Sequence, residues 1–391
     1  MMYSIPKIGR LLVFLTSFLF LIGSSYITDY ILINISHIVS LFMICVISAL
    51  VVMLIFHYNN YYLKLFAVAS IVVFIFFIYY SIGNTYYYGF SKSFLAFLIP
   101  LWSSVVLLGI RWNESEIPDL LVDSILLIVV FAVAYKYEYG FYNRNVRFGI
   151  VGPIPFGWLC AIGLLSNYKN LVVGKIFKFI VISMIFAIGL LWSGSKSPFI
   201  GIMLASAYGY LAIPSERKRI PIILFTLLCV VSAYYFFGFE SRAIDNIADF
   251  YQDADVYVDG SGAGSIGVRF ALYDMSFELV KKSPFFGVGV GGWADALNMT
   301  RILYPHNAYI EVLSEGGITL FFIFMLYFLI IFIIIKKKRM IVLPTIIIFY
   351  LSVINFSGDL SYFRYAAYFV VLGCITRRDV SAYSTDEKYN A

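Results

Sequence analysis

Apolar runs of about 17 residues or more recur along this chain, broken by short polar connectors. Such a run is what an α-helix needs to cross a hydrocarbon layer roughly 30 Å thick. In lipid, every backbone N–H and C=O must find its partner within the protein, so a repeated pattern of this length admits helices and little else. The chain is 62% hydrophobic and 13% charged, where a soluble domain is nearer half and a quarter. Water could not solvate that surface. The expected fold is therefore all-α: a polytopic membrane protein of about twelve transmembrane helices. The spans fall at about 11–28, 32–56, 63–82, 93–110, 119–136, 148–166, 173–192, 198–213, 220–238, 317–335, 340–356 and 360–376. Residues 1–239 then hold helices one to nine, 240–316 a large extracytoplasmic loop with short helices, 317–376 the last three spans, and 377–391 a cytoplasmic tail. The first run, Leu11 to Ile22, is not followed by a small-residue cleavage pattern and reads as a retained helix.

Charge sets the expected orientation. If Lys7 and Arg10 are cytoplasmic, the even-numbered connectors collect Lys64, Arg111, Lys169, Lys175, Lys178, Arg217, Lys218, Arg219, the run Lys336 to Arg339, and Arg377 with Arg378. Positive residues favour the cytoplasmic side, so both termini are expected there and the 240–316 loop outside. The net charge of +6 follows from these connectors and does not point to nucleic acid. Lys136, Arg144, Arg147 and Lys196 break the rule, lying in short outer connectors. An anionic ligand on that face, such as a lipid phosphate or pyrophosphate, is one reason to keep them; snorkelling to headgroups is the other. The cysteines (Cys45, Cys160, Cys229, Cys374) all lie in apolar runs without metal-ligand spacing, and read as structural thiols.

Chemistry is expected in the long loop. Residues 240–264 are acidic and rich in Gly and Ser, and read as an exposed segment. In VRFALYDMSFELVKKSP, Val268, Leu272, Met275 and Leu279 recur at helical spacing, with Arg269, Tyr273, Ser276 and Lys281 on other faces. This predicts an amphipathic helix on the membrane surface, stopped by Pro284. FFGVGVGGW matches G-x-G-x-x-G through Gly287, Gly289 and Gly292. It does not join a strand to a helix in a βαβ unit, which excludes a dinucleotide site. The glycines make turns or let the backbone approach something closely. In PHNAYIEVLSEGG, His306 opens a short helical pattern with Ile310 and Leu313 on an apolar side, Glu311 and Glu315 on another, and Gly316–Gly317 at its end. A histidine at a helix N-terminus is held neutral by the dipole, the form a general base requires. A capping or surface histidine would fit the same spacing.

Four blocks resemble the O-antigen ligase/polymerase superfamily of membrane glycosyltransferases: RFGIVGPIPFGWLCA from Arg147, WSGSKSPFIGIMLA from Trp192, RFALYDMSFELVKKSPFFGVGVGGW from Arg269 and PHNAYIEVLSEGGITLFF from Pro305. The likeness covers roughly residues 140–335. It implies transfer, on the periplasmic face of a bacterial inner membrane, of a glycan from undecaprenyl pyrophosphate to a sugar hydroxyl, without cofactor, metal or nucleotide. It also implies a lipid-linked repeat unit or lipid A–core as acceptor, and a chain-length regulator protein as a further partner. By the same resemblance, Arg269 and His306 are the catalytic pair, one contacting pyrophosphate and the other acting as base or acceptor orienter. Lys196, Arg147, Arg144, Asn307, Tyr309, Glu315 and Arg301 are the implied glycan or pyrophosphate contacts. Lys196 stands where such proteins usually carry Arg; it keeps the charge and loses the bidentate fork. HNAYIEVLSEGG is nearer the polymerases than the ligases. A flippase for lipid-linked sugars is disfavoured because the span centres are almost free of charge, whereas transporters place ionisable groups there.

Overall fold

The computed structural model describes residues 6–34, 37–82, 86–141, 146–149, 151–195, 197–212, 265–299, 302–338 and 343–377. The described residues are almost entirely helical. In chain order they form α1 (Lys7–Asn34), α2 (His37–His57), α3 (Tyr61–Ser81), α4 (Tyr86–Phe97), α5 (Ile99–Ser104), α6 (Ile117–Tyr139), α7 (Pro153–Val172), α8 (Ile176–Trp192) and α9 (Ser197–Ala212). After the long loop come α10 (Ser265–Lys282), the single turn α11 (Trp293–Ala296), α12 (Ala308–Lys338), α13 (Leu343–Ser357) and α14 (Phe363–Ile375). Two strands of two residues each, Trp112–Asn113 and Thr376–Arg377, pair in parallel at one end of the bundle.

Five described segments are long and apolar enough to cross a membrane: Lys7–Ser25, Tyr61–Ser81, Tyr88–Leu107, Glu114–Tyr139 and Ala308–Lys337. Shorter apolar helices occupy Val46–His57, Ile176–Trp192, Ser197–Gly209, Leu343–Ser357 and Leu360–Ile375. The span expected at 220–238, the acidic stretch 240–264 and the tail beyond Arg377 lie outside the described residues. The fourth expected span is not one straight helix. Pro100, which cannot donate an amide hydrogen bond, restarts it as α5, and it ends in a 3-10 turn at Val105–Leu107.

α14 is the axis around which the others pack. Every residue from Phe363 to Ile375 is buried, which a helix apolar on all sides requires. α3, α4, α5, α12 and α13 contact it. The outer helices are two-sided instead. α8 buries Phe179, Ile182, Phe186 and Leu190 while exposing Phe177, Ile180, Met184 and Ile188. An exposed stripe that apolar suits lipid rather than water. α7 and α8 approach closely where one side is small: a Cβ on Gly163 would lie 2.6 Å from the Phe186 ring, and one on Gly189 2.7 Å from Cys160 Sγ. Cys160 and Cys374 are buried.

The contacts sort the connectors into two ends. At one, Arg10 pairs with Glu116 at 2.6 Å and Lys169 with Asp119 at 2.5 Å. There too Trp112 pairs with Thr376, and Asn60 caps α3 by accepting from Leu63 N while donating to the Cys374 carbonyl at 2.6 Å. At the other end, Val290 N donates to Tyr80 O, Trp192 packs on Phe141 and Phe148, and Arg269 reaches Ser357. This is the division that alternating connectors produce, with Arg10, Lys169 and Arg377 of the basic connectors at the first end.

Candidate functional site

Three segments meet at the second end. α10 carries Arg269 and Tyr273, the stretch before α12 carries Tyr304, His306 and Asn307, and α13 ends at Ser357 just before the connector to α14 that carries Asp359. The glycines fix how they meet. Gly289 N donates to Glu315 O at 2.7 Å and Val288 N to Ser314 O at 3.1 Å, so the turn after α10 lies directly on the backbone of α12. A Cβ on Gly287 would stand 2.4 Å from the Glu315 carbonyl, and one on Gly317 2.4 Å from the Phe285 carbonyl carbon. Gly317 takes φ 63° and ψ −170°, breaking α12 locally; Ile318 N then donates to Pro284 O at 2.9 Å instead of to its own helix. The sequence placed a helix end at this pair. The structure continues beyond it because the neighbouring turn takes over the freed donor.

α10 forms where expected, with a different buried face. Leu272, Ser276 and Leu279 are buried, and Met275 is 36% exposed. Ser276 Oγ donates to Leu272 O at 2.7 Å and accepts from Trp293 Nε1 at 2.8 Å, so its polar atom is satisfied inside. Leu272 and Leu279 make with Trp293 and Ala294 a small separate core that anchors α10. Arg269, near the start of the helix, places Nη2 3.3 Å from Ser357 Oγ. Burial lowers its affinity for a proton, while Tyr273 and Tyr304 act the other way. Burial raises the Tyr273 hydroxyl, opposed by a hydrogen bond with the Asn307 side chain and by Arg269.

His306 adopts φ 60°, a left-handed conformation uncommon outside glycine, in the turn that leads into α12. Its Nδ1 is buried with no partner among the described residues, and its ring meets Tyr304 edge-on at 4.5 Å. Burial pushes the imidazole down to about 4; the Arg269 charge adds to this and Asp359 opposes it. The ring is therefore neutral, for a reason other than the expected helix dipole. Asn307, not His306, caps the helix: its Oδ1 accepts from Tyr309 N at 3.0 Å and Ile310 N at 3.1 Å.

The other sequence-derived positions divide. Arg144, Lys196 and Arg301 lie outside the described residues. Ser197 Oγ accepts from Trp158 Nε1 at 2.9 Å, and Trp158 meets Tyr362 edge-on at 5.0 Å, so Trp158 links the start of α9 to the α13–α14 connector. Arg147 is exposed next to Phe148, which shares an aromatic corner with Trp192 and Phe156. Tyr309 is packed inward against Phe328 at 5.5 Å. Glu315 also faces inward, its carboxylate 2.9 Å from Lys92 Nζ at 1% exposure. Glu311 is fully buried and bonds both Lys92 and Leu360 N. The polarity expected for the first turns of α12 is thus inverted: the carboxylates point in, and Ile310 and Leu313 are only partly covered.

The inward carboxylates meet a buried cation near one end of a span, which leaves the expectation of span centres almost free of charge uncontradicted. Lys92 lies within Tyr88–Leu107 and is 1% exposed. It sits at the end of α4 that meets Gly291 and Leu360, not at mid-bundle, so a transporter-like arrangement does not follow. Sequence reasoning missed Lys92, Asp359, Tyr304 and Arg364. Arg364 is buried, donating to Ser361 O at 2.9 Å, and its guanidinium lies over the Tyr362 and Tyr365 rings. One signal was present. Glu311 and Glu315, four apart in a largely apolar helix, demand a cation from elsewhere, and Lys92 between YYYGFS and SF was available. Among the described residues no group of three or more His, Cys, Asp or Glu could hold a metal.

The arrangement supplies a neutral imidazole and a guanidinium whose charge disfavours protonation of that ring. That is equipment for taking a proton and stabilising an anion. Compared with known proteins, residues 180–325 match the family model described as O-antigen ligase. The match takes in the second, third and fourth blocks, from Trp192, Arg269 and Pro305, and ends before the first block from Arg147 is reached. A search of curated proteins gave no match.

Proposed function

We propose, from the chain's membership of the O-antigen ligase/polymerase superfamily, that it is a surface-polysaccharide polymerase acting on lipid-linked repeat units. The donor is a glycan on undecaprenyl pyrophosphate and the acceptor a sugar hydroxyl of a second lipid-linked unit. The neutral ring of His306, whose Nδ1 has no partner among the described residues, and the Arg269 charge that acts on it carry this reading. The acceptor oxygen forms a bond to the anomeric carbon as the bond from that carbon to the pyrophosphate oxygen breaks. The electron pair leaves with the pyrophosphate, whose charge Arg269 meets, and the acceptor proton passes to His306. The energy resides in the donor bond, so no nucleotide takes part. Arg10, Lys169 and Arg377 of the basic connectors, at the opposite end, support a periplasmic position for this chemistry.

The description of the matching family model favours a second reading, transfer to lipid A–core. Purified protein supplied with lipid-linked repeat unit, with and without lipid A–core, separates the two by which acceptor is extended. His306→Ala should slow extension by roughly 10²–10⁴-fold and Arg269→Ala by about 10²–10³-fold, both inserting normally into membranes. Normal polymer length in both variants removes the assignment.

A further inference from the structure

We infer that Lys92 and Glu311 form a positioning pair, holding the connector that carries Asp359 against the one that carries His306. The inference rests on the reading in which His306 takes the acceptor proton. Neither residue touches the reacting groups in that reading, and its chemistry makes no use of them.

The geometry is a chain of contacts between three elements distant in sequence. α4 places Lys92 Nζ inside the bundle, bonded to Glu311 Oε1 and to Glu315 Oε1, and over the Tyr88 ring at 4.3 Å. Glu311 uses its other oxygen, Oε2, to accept from Leu360 N at 2.8 Å. Leu360 follows Asp359, whose Oδ1 accepts from both Ser361 N at 3.0 Å and Ser361 Oγ at 2.6 Å. The peptide that Glu311 grips is thus the one that aims the Asp359 carboxylate. Asp359 acts on His306, partly offsetting the burial and the Arg269 charge that disfavour the protonated ring. At its other end, Glu311 stands in the first turn of α12, its amide bonded to the Asn307 carbonyl at 2.9 Å. One residue earlier is His306.

Cohesion alone does not account for such a cluster. Buried ion pairs contribute little net stability, and apolar side chains of similar volume commonly hold helices together as well or better. Directionality is what they add. A carboxylate with two oxygens on two different donors fixes both donors at once, while methyl groups would let the connectors slide. Lys92, bonded to Oε1, turns the carboxyl group of Glu311 so that Oε2 faces Leu360.

Glu311→Gln tests this with little risk to folding, because Lys92 and Glu315 remain as a balanced pair. The amide replaces one of the two acceptor oxygens by an NH2 donor, so it no longer presents an acceptor to Lys92 and to Leu360 N from two separate atoms. We expect kcat to fall at least tenfold, KM for the lipid-linked donor to stay within threefold, and backbone hydrogen exchange over 357–362 to quicken. A second variant, Lys92→Met/Glu311→Met/Glu315→Gln, carries no charge in the cluster. It should reach wild-type folded abundance and still show the lower kcat and faster exchange. Wild-type kcat and wild-type exchange in either folded variant would overturn the inference. The exchange readout does not depend on the reaction, so it decides the positioning claim even if no polymer is made. His306→Ala run in parallel reports separately on the base: full turnover there defeats the proposed chemistry and leaves the exchange result to stand.

Discussion

The neutral state of His306 is open to direct measurement. The ring drops from its ordinary 6.5 to about 4. At 1.36 kcal/mol per decade of proton affinity, that is roughly 3 kcal/mol by which the folded site prefers the uncharged ring. The ring keeps some contact with solvent, which screens part of this and leaves about 2 kcal/mol. The sign follows from a folded affinity lower than the unfolded one. Protonation favours the unfolded chain, so the cost is absent above pH 6.5, grows as pH falls through that value, and is complete below about 4. The sequence has three histidines. Carbon-13 labelling at their Cε1 positions, with His306→Gln to assign the resonance, gives the titration in detergent or nanodiscs. The His306 signal should remain that of a neutral ring at pH 5.5. Arg269→Gln should raise its midpoint only part of the way towards 6.5, because burial is the larger cause, and Asp359→Asn should lower it further. A wild-type midpoint at or above 6.5 would refute the burial argument and, with it, the case for a permanently available base.

Three further outcomes probe the frame. Gly317→Ala forces a side chain to within 2.4 Å of the Phe285 carbonyl carbon at a φ of 63°, and should cost about 2 kcal/mol or more of thermal stability along with activity. Gly23→Ala, in α1 with nothing within 4 Å of the new carbon, should be neutral or stabilising by up to about 1 kcal/mol in the same melt. Asn60→Leu removes the α3 cap and the bond to Cys374 O at the far end of the bundle. It should cost about 1–2 kcal/mol while turnover per folded molecule is unchanged.

The long apolar runs, the basic connectors and the turn chemistry of Gly287 and Gly317 are local properties, and they were legible in the amino acids. The helix at Ser265–Lys282 was also legible, because its spacing is local. Which face it buries was not: Ser276 goes inside because Trp293, seventeen residues away, brings it a donor. The same limit applies to α12. Apolar residues there satisfy lipid and protein equally, so hydrophobic spacing cannot say which side faces the bundle. The carboxylates decide it, and only after a lysine more than two hundred residues away has come to meet them.

By itself, then, the sequence determined that the chain is a helical membrane protein with its basic connectors on one side and an Arg- and His-bearing segment on the other. Lipid imposes those features residue by residue. Tertiary structure alone decided that His306 is neutral by burial, that Asp359 stands near it, and that Lys92 lies inside. Each is a meeting of groups from separate helices, and packing, not local preference, brings such groups within reach.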